Sequence, residues 1–249
     1  LIRDTKTMKE FFSKTFWAHQ YGDMEKLISI MDRMISLLDE WKFIEAGDTS
    51  DFVPANVEKD GRMRSTPIGR RVSELYLDPL TANYLLSCLE KFDETKNVFS
   101  LLQMISHTLE MRPLIRTKQK EMDFVHNELG KRYEYLLEEE PSSFDMEYGE
   151  FVNSIKTALF FEEWISEKGE DFLLETFGSR PGEIRAKVEN ANWLLYSAEE
   201  LSKVTRNLHA AKELRKLRLR IKHGVHEELL PLLRLKGIGK KRARKMFNN

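Results

Sequence analysis

Residues 232–246 read Leu-Leu-Arg-Leu-Lys-Gly-Ile-Gly-Lys-Lys-Arg-Ala-Arg-Lys-Met. Leu232, Leu235, Gly237, Ile238, Gly239, Ala243 and Met246 stand at the spacing of a helix-hairpin-helix. Two glycines let the backbone turn sharply and let a ligand approach it closely. Their N–H groups, with the N-terminus of the helix that follows, make an anion site. Ile238 is placed to plug the space between the two helices, and Ala243 is small enough to let them close. Lys240, Lys241, Arg242 and Arg244 surround the turn. Such a contact grips a phosphate backbone without reading bases. The plainer alternative is a helix–glycine turn–helix connection with no ligand.

The charge distribution points the same way. The chain of 249 residues has a net charge of −1, yet residues 203–249 carry 15 Lys or Arg against 3 Asp or Glu. The remainder is correspondingly acidic. A basic end on an acidic body fits a polyanion partner, or equally a solvated basic helix.

Upstream, residues 182–203 form a helix in which Ile184, Val188, Ala191, Leu195 and Ala198 fall within about 40° of one direction at 100° per residue. Trp193 points to the opposite side. A Trp placed there either packs under another domain or offers a stacking platform to an unpaired base. Arg185 flanks the same face, and Ala186 lies nearly beneath Trp193, two turns earlier.

Most of the remaining chain reads as helix: 5–20, 24–46, 81–92, 95–109, 115–137, 145–167, 169–177 and 205–223. Gly47–Asp51 breaks the pattern. Residues 52–78 alternate short apolar pieces with turns, and Lys59-Asp60-Gly61-Arg62 has the composition of a hairpin tip. Helix, helix and small hairpin outline a winged-helix domain. Pro141-Ser142-Ser143 and Ser179-Arg180-Pro181-Gly182 are further breaks, and the acidic run Glu138-Glu139-Glu140 reads as a solvated stretch. The expected fold is therefore mainly α: a winged-helix domain over 1–80, a helical bundle over 81–224, and a helix-hairpin-helix over 225–249.

Several chemistries lack their residues. Gly130-Lys131 is followed by Arg132 and Gly239-Lys240 by Lys241, so no phosphate-binding loop ends in the Ser or Thr that would hold magnesium. Asp39-Glu40 and Asp93-Glu94 are not followed by an acidic helicase box. His226-Glu227 lacks a second histidine at Leu230. The single cysteine, Cys88, permits no internal disulfide or cysteine zinc site and reads as core filler. The sequence offers no active site and no metal site, and no ATPase activity of its own is expected. No apolar run approaches the roughly 20 residues of a membrane span. There is no secretory signal, and a reducing cytoplasm fits. The chain begins with Leu, as a piece of a longer protein would.

Three stretches resemble the C-terminal half of the Hjm-type archaeal DNA helicases, relatives of the superkiller-like superfamily 2 enzymes. They are Thr66–Pro79, with Thr-Pro-Ile-Gly-Arg-Arg-Val-Ser-Glu-Leu-Tyr-Leu-Asp-Pro; Ser106–Leu114, with Ser-His-Thr-Leu-Glu-Met-Arg-Pro-Leu; and Arg220–Leu232, with Arg-Ile-Lys-His-Gly-Val-His-Glu-Glu-Leu-Leu-Pro-Leu. Essentially the whole chain is covered. The resemblance implies two motor domains before Leu1, which would bind ATP and magnesium, with no cofactor in this chain. It implies a hinge in the winged helix and a bundle that closes a ring around a translocating 3′ tail. Residues 182–203 would be the ratchet helix, with Trp193 stacking on bases, and the terminal hairpin would grip the exiting strand. Ala186 stands where the family has an arginine, a departure that leaves adjacent Arg185 as the candidate substitute. The function implied is that of an accessory region in an ATP-dependent 3′-to-5′ DNA helicase of fork repair and recombination. Its partners would be single-stranded or forked DNA and the motor domains of the same chain. The competing expectation is a non-catalytic module of the related RNA helicases and splicing factors.

Overall fold

Asp4, Thr15, Asp23 and Thr66 each turn a side-chain oxygen onto a backbone N–H three residues on, and each starts a helix in this way. The structure, a computed structural model, describes residues 4–46 and 63–248. It is mainly α-helical and divides into two units, Leu1–Pro79 and Leu80–Asn249.

In the first unit, α1 (Thr5–Ser13), α2 (Phe16–Tyr21) and α3 (Met24–Glu40) precede two short strands and α4 (Pro67–Glu74). The expected single helix over 5–20 is interrupted at Thr15. Its hydroxyl donates to Phe12 O at 2.7 Å and accepts from Ala18 N at 3.3 Å, closing one helix and opening the next. The expected helix over 24–46 likewise stops at Glu40. Lys42 takes a left-handed φ of 58°, the Phe43 N–H returns to Leu38 O, and the chain leaves as β1 (Ile44–Ala46). β1 pairs antiparallel with β2 (Met63–Ser65), with Ile44 opposite Ser65 and Ala46 opposite Met63. The hairpin tip expected at 59–62 and the apolar pair Phe52-Val53 lie outside the described residues. After β2, Pro67 occupies the first turn of α4, where its missing N–H costs nothing. The apolar stretch Val72–Leu77 is therefore the end of a helix and its exit. Ala18, Leu27 and Met31, with Met8 and Phe12 against them, form a core between the first three helices.

The second unit contains all but the first residue of α5 (Pro79–Glu90), then α6 (Val98–Ser106), α7 (Met122–Arg132), α8 (Tyr148–Ile165), α9 (Glu170–Phe177), α10 (Pro181–Val204), α11 (Leu208–His223) and α12 (Lys240–Phe247). α6 and the middle of α8 are buried on all sides, including Phe99, Phe151, Phe160 and Phe161. Fully buried helices show little periodicity, which is why their ends are poorly marked by pattern. The α6 start falls at Asn97, whose side chain caps Phe99 N and Ser100 N. Cys88 is buried, and that burial pushes its thiol up to about 12.

The expected helix over 115–137 shrinks to α7 with a 3-10 turn on either side. Residues 112–118 are not helical, and α8 takes two of their N–H groups. Ile115 N donates to Thr157 Oγ1 at 3.0 Å and Thr117 N to Asn153 Oδ1 at 2.7 Å. The acidic run at 138–140 is also not simply solvated. Glu138 accepts from Gln103 and meets His107 Nδ1 at 2.8 Å, in a partly buried pair between α6 and the 133–140 connection.

Candidate nucleic-acid interface

α10 is the long helix of the second unit, and α11 returns along it. Glu199 is buried on α10 and is paired with Lys203 Nζ at 2.8 Å and with Arg218 Nε of α11 at 3.3 Å. Ile184, Ala191, Leu195 and Ala198 are buried as the apolar stripe requires, whereas Val188 is only half-buried. Leu194, Ser197 and Leu201 are buried too, so the C-terminal half of α10 is enclosed more widely than one stripe.

Trp193 is half-buried, on the side away from that stripe. Arg185 and Ala186 are exposed. Arg185 borders a cavity of about 490 Å³ with Trp164 of α8, Pro181 and Val188, while Ala186 opens onto a different one. The two are thus separated, as the roughly 100° step between neighbours demands. The sequence reading missed Tyr196, one turn past Trp193. It is 36% exposed, and the Arg218 guanidinium lies 5.3 Å from its ring centre. The i, i+3 spacing of the two aromatics was the available signal.

The terminal hairpin is built on a small core of its own. Val225, Leu229 and Ala243 are buried, and Leu230, Leu232, Leu233 and Ile238 pack against them. Gly237 has φ 81°, the left-handed turn that favours glycine. Gly239 is different: its φ of −102° and ψ of 178° suit any residue, and a Cβ added there would meet nothing within 4 Å. The protein itself does not require glycine at 239. No side chain caps the N-terminus of α12, so the N–H groups of its first turn have no intrahelical partner.

The four basic residues at the turn have different surroundings. Lys241 is exposed. Arg242 is exposed and donates to Gly237 O at 2.8 Å, which stiffens the turn. Lys240 is half-buried with its ammonium 5.3 Å from the Trp164 ring centre, and desolvation pulls its pKa down. Arg244 turns inward: its Nε reaches Glu167 Oε2 at 3.0 Å and its Nη2 reaches Glu228 Oε1 at 2.9 Å. Trp164 completes the joint. Its Nε1 donates to Ile221 O at 2.7 Å, and its ring lies so close to Gly224 (φ 61°) that an added Cβ would sit 2.8 Å from it. The basic end is therefore partly docked on an acidic group of its own unit and partly open.

Glu167 is the hinge of this docking. It has a left-handed φ of 68°, and its carboxylate accepts from Arg244 and from His226 N. The hydrogen bond from Arg244 holds its carboxyl below the ordinary 4.5. A depressed carboxylate stabilises the docked state fully above the unfolded value and loses that contribution as pH falls through the lower folded value. Glu167→Gln should therefore speed amide exchange at His226 and Ala243 while α8 and α10 stay protected, and the difference from the parent chain should vanish in acid. Equal protection of the hairpin at neutral pH in both proteins would show that Glu167 does not hold it.

Among the described residues no helix is long and apolar enough to cross a membrane, and no group of three or more His, Cys, Asp or Glu could hold a metal ion.

The profile of the family described as archaeal helicase, domain 4, matches residues 99–224, α6 through the end of α11. The chain is also similar to three proteins named ATP-dependent DNA helicase Hel308. The one from Methanocaldococcus jannaschii is 35% identical over 99% of this chain and 18% of its own length. That from Pyrococcus abyssi is 35% identical over 98% of this chain and 32% of its own. That from Methanococcus vannielii is 32% identical over 99% of this chain and 36% of its own. This chain thus spans about a third or less of the length of these relatives.

Proposed function

Because the chain belongs to the archaeal helicase family to which that domain 4 profile corresponds, we propose that it is the C-terminal accessory region of an ATP-dependent 3′-to-5′ DNA helicase. In this reading it binds and guides single-stranded DNA while motor domains elsewhere in the parent protein supply ATP hydrolysis with magnesium. The relatives' names support DNA as the substrate and do not favour the RNA-helicase or splicing-scaffold alternative. The first unit acts as a winged-helix hinge, the protein works in the cytoplasm, and forked DNA in repair and recombination is the natural substrate.

The observation that carries this reading is the half-buried Trp193 on α10, held away from the helix's apolar stripe and followed one turn later by the exposed Tyr196. Aromatic faces at this spacing suit successive unpaired bases, which stack on any π-face without regard to sequence. Arg185 serves the strand beside them. At the other end, Gly237, Gly239, Lys241 and Arg242 hold a phosphate of the exiting strand, while Lys240 and Arg244 set the orientation of the hairpin and add charge behind it. Fluorescence anisotropy with a labelled oligo-dT and a blunt duplex of equal length tests the proposal. The strand should bind more tightly than the duplex, and equal affinity for both would overturn it.

A further inference from the structure

The segment Arg112–Lys118 separates two concavities of the second unit. One, of about 360 Å³, lies between the segment and the Ala186–Asn190 part of α10. The other, of about 720 Å³, lies between the segment and the start of α8, with Met146, Gly149 and Asn153 on its far side. Arg112, Pro113, Leu114 and Arg116 line both.

The backbone of this ridge is held by two helices, α8 and α10. α8 receives Ile115 N and Thr117 N on Thr157 and Asn153, as described above. The almost fully buried Lys156 donates to Arg116 O at 3.1 Å, and Lys187 of α10 donates to Pro113 O at 2.6 Å. With the main chain held, the side chains of Arg112, Arg116 and Lys118 stand exposed. Arg112 shares a solvent-exposed pair with Glu150 at 3.3 Å. Arg116 and Lys118 have no ion pair among the described residues. The carboxylates nearby have partners of their own: Glu183 accepts from Arg180 N, and Glu121 pairs with Lys156 at 2.8 Å and accepts from Lys118 N at 2.8 Å. The ridge is thus a fixed row of three exposed cations, of which Arg112 is paired with Glu150, Lys118 lies near the Glu121 carboxylate and Arg116 has no ion pair among the described residues.

We propose that this ridge is a second phosphate-gripping surface, placed to hold the backbone of the strand whose bases stack on Trp193. The proposal rests on the reading of Trp193 given above. Ala186 and Trp193 share one face of α10, about 20° and roughly 10.5 Å apart along its axis. A strand that leaves Trp193 toward the N-terminus of α10 passes over Ala186, whose methyl leaves room, and meets the ridge on its far side. Guanidinium groups match phosphate by paired N–H donors. The ridge's continuity with a face bearing a partly exposed aromatic favours a nucleic-acid strand over an acidic protein segment.

The test is the Arg116→Gln/Lys118→Gln double variant of the 249-residue chain, read by anisotropy with labelled oligo-dT across a salt series. Each single-strand phosphate that is no longer neutralised flattens the slope of log affinity against log salt by about 0.7, so the double variant should flatten it by about 1.4. Its melting temperature should hold, because the ridge is pinned through its backbone. If the double variant melts lower, Lys118→Gln alone, with an expected change of about 0.7, replaces it. An unchanged slope, in an assay where Trp193→Ala still weakens binding, would overturn the ridge and leave the stacking helix standing. Loss of polyglutamate binding with oligo-dT binding intact would overturn it in favour of an acidic protein partner. If Trp193→Ala also has no effect, the reading of α10 falls, and the ridge with it.

Discussion

Trp193→Ala should lower the affinity of the chain for a single strand by roughly 5- to 150-fold, the equivalent of about 1–3 kcal/mol for one stacked base. The position of Trp193 sets this expectation. It sits on the longest helix of the second unit, half-buried, opposite the stripe formed by Ile184, Ala191, Leu195 and Ala198. Removing a fully enclosed Trp would cost about 3–5 kcal/mol of stability. This ring is only partly enclosed, so the melting temperature should move by only a fraction of that loss. Trp193→Phe should recover most of the affinity, because the smaller ring still offers a π-face. A variant that melts far below the parent chain and binds oligo-dT normally would make Trp193 a packing residue.

Gly239→Val should weaken strand binding by roughly 10- to 150-fold, the loss expected when a charge-assisted hydrogen bond of about 1.5–3 kcal/mol is blocked. The fold accounts for only part of this effect: Gly239 is the N-cap of α12, where Val costs about 1 kcal/mol of helix stability that the melting curves read separately. Residue 239 has an ordinary extended backbone, and a side chain there would project into open space. Only a ligand that comes within touching distance of the backbone would meet the new methyl groups. Gly237, with its left-handed φ, cannot serve for this test, since any substitution there strains the turn itself. Competition between parent and Gly239→Val protein for a labelled strand, with melting curves for both, reads the result. Unaltered affinity would mean that the hairpin is a structural connection and that its lysines and arginines are solvated or docked.

The helical content and the local geometry of the terminal turn and of α10 could be read from the sequence because each depends on residues close together in the chain. Ile238 and Ala243 pack into one small core as their spacing implies, although the expected first helix of the hairpin is formed by two 3-10 turns, Glu227–Leu229 and Leu232–Arg234. Trp193 is placed by the same 3.6-residue period that buries its neighbours. What could not be read depends on partners far away. Leu114 and Ile115 have the composition of a helix start, but the N–H groups of Ile115 and Thr117 go to Thr157 and Asn153, some forty positions later. Glu138 looks like one of three solvated carboxylates until His107 and Gln103 are brought beside it. Arg244 has the same local sequence surroundings as Lys241, yet Glu167 and Glu228 claim its guanidinium. In the first unit, the apolar residues up to Ala46 extend the pattern of α3, and only the left-handed turn at Lys42 shows that the chain has become a strand.

The central claim is that α10 carries unpaired bases on the face that bears Trp193. Photo-crosslinking measures this most directly: an oligo-dT in which single thymidines are replaced by 5-iododeoxyuridine is bound to the chain, irradiated, and the adducted peptide identified. The account predicts adducts on Trp193, with Tyr196 as the neighbouring acceptor, and their loss in Trp193→Ala. Efficient crosslinking confined to residues outside α10, with Trp193 unmodified while the strand is bound, would contradict it.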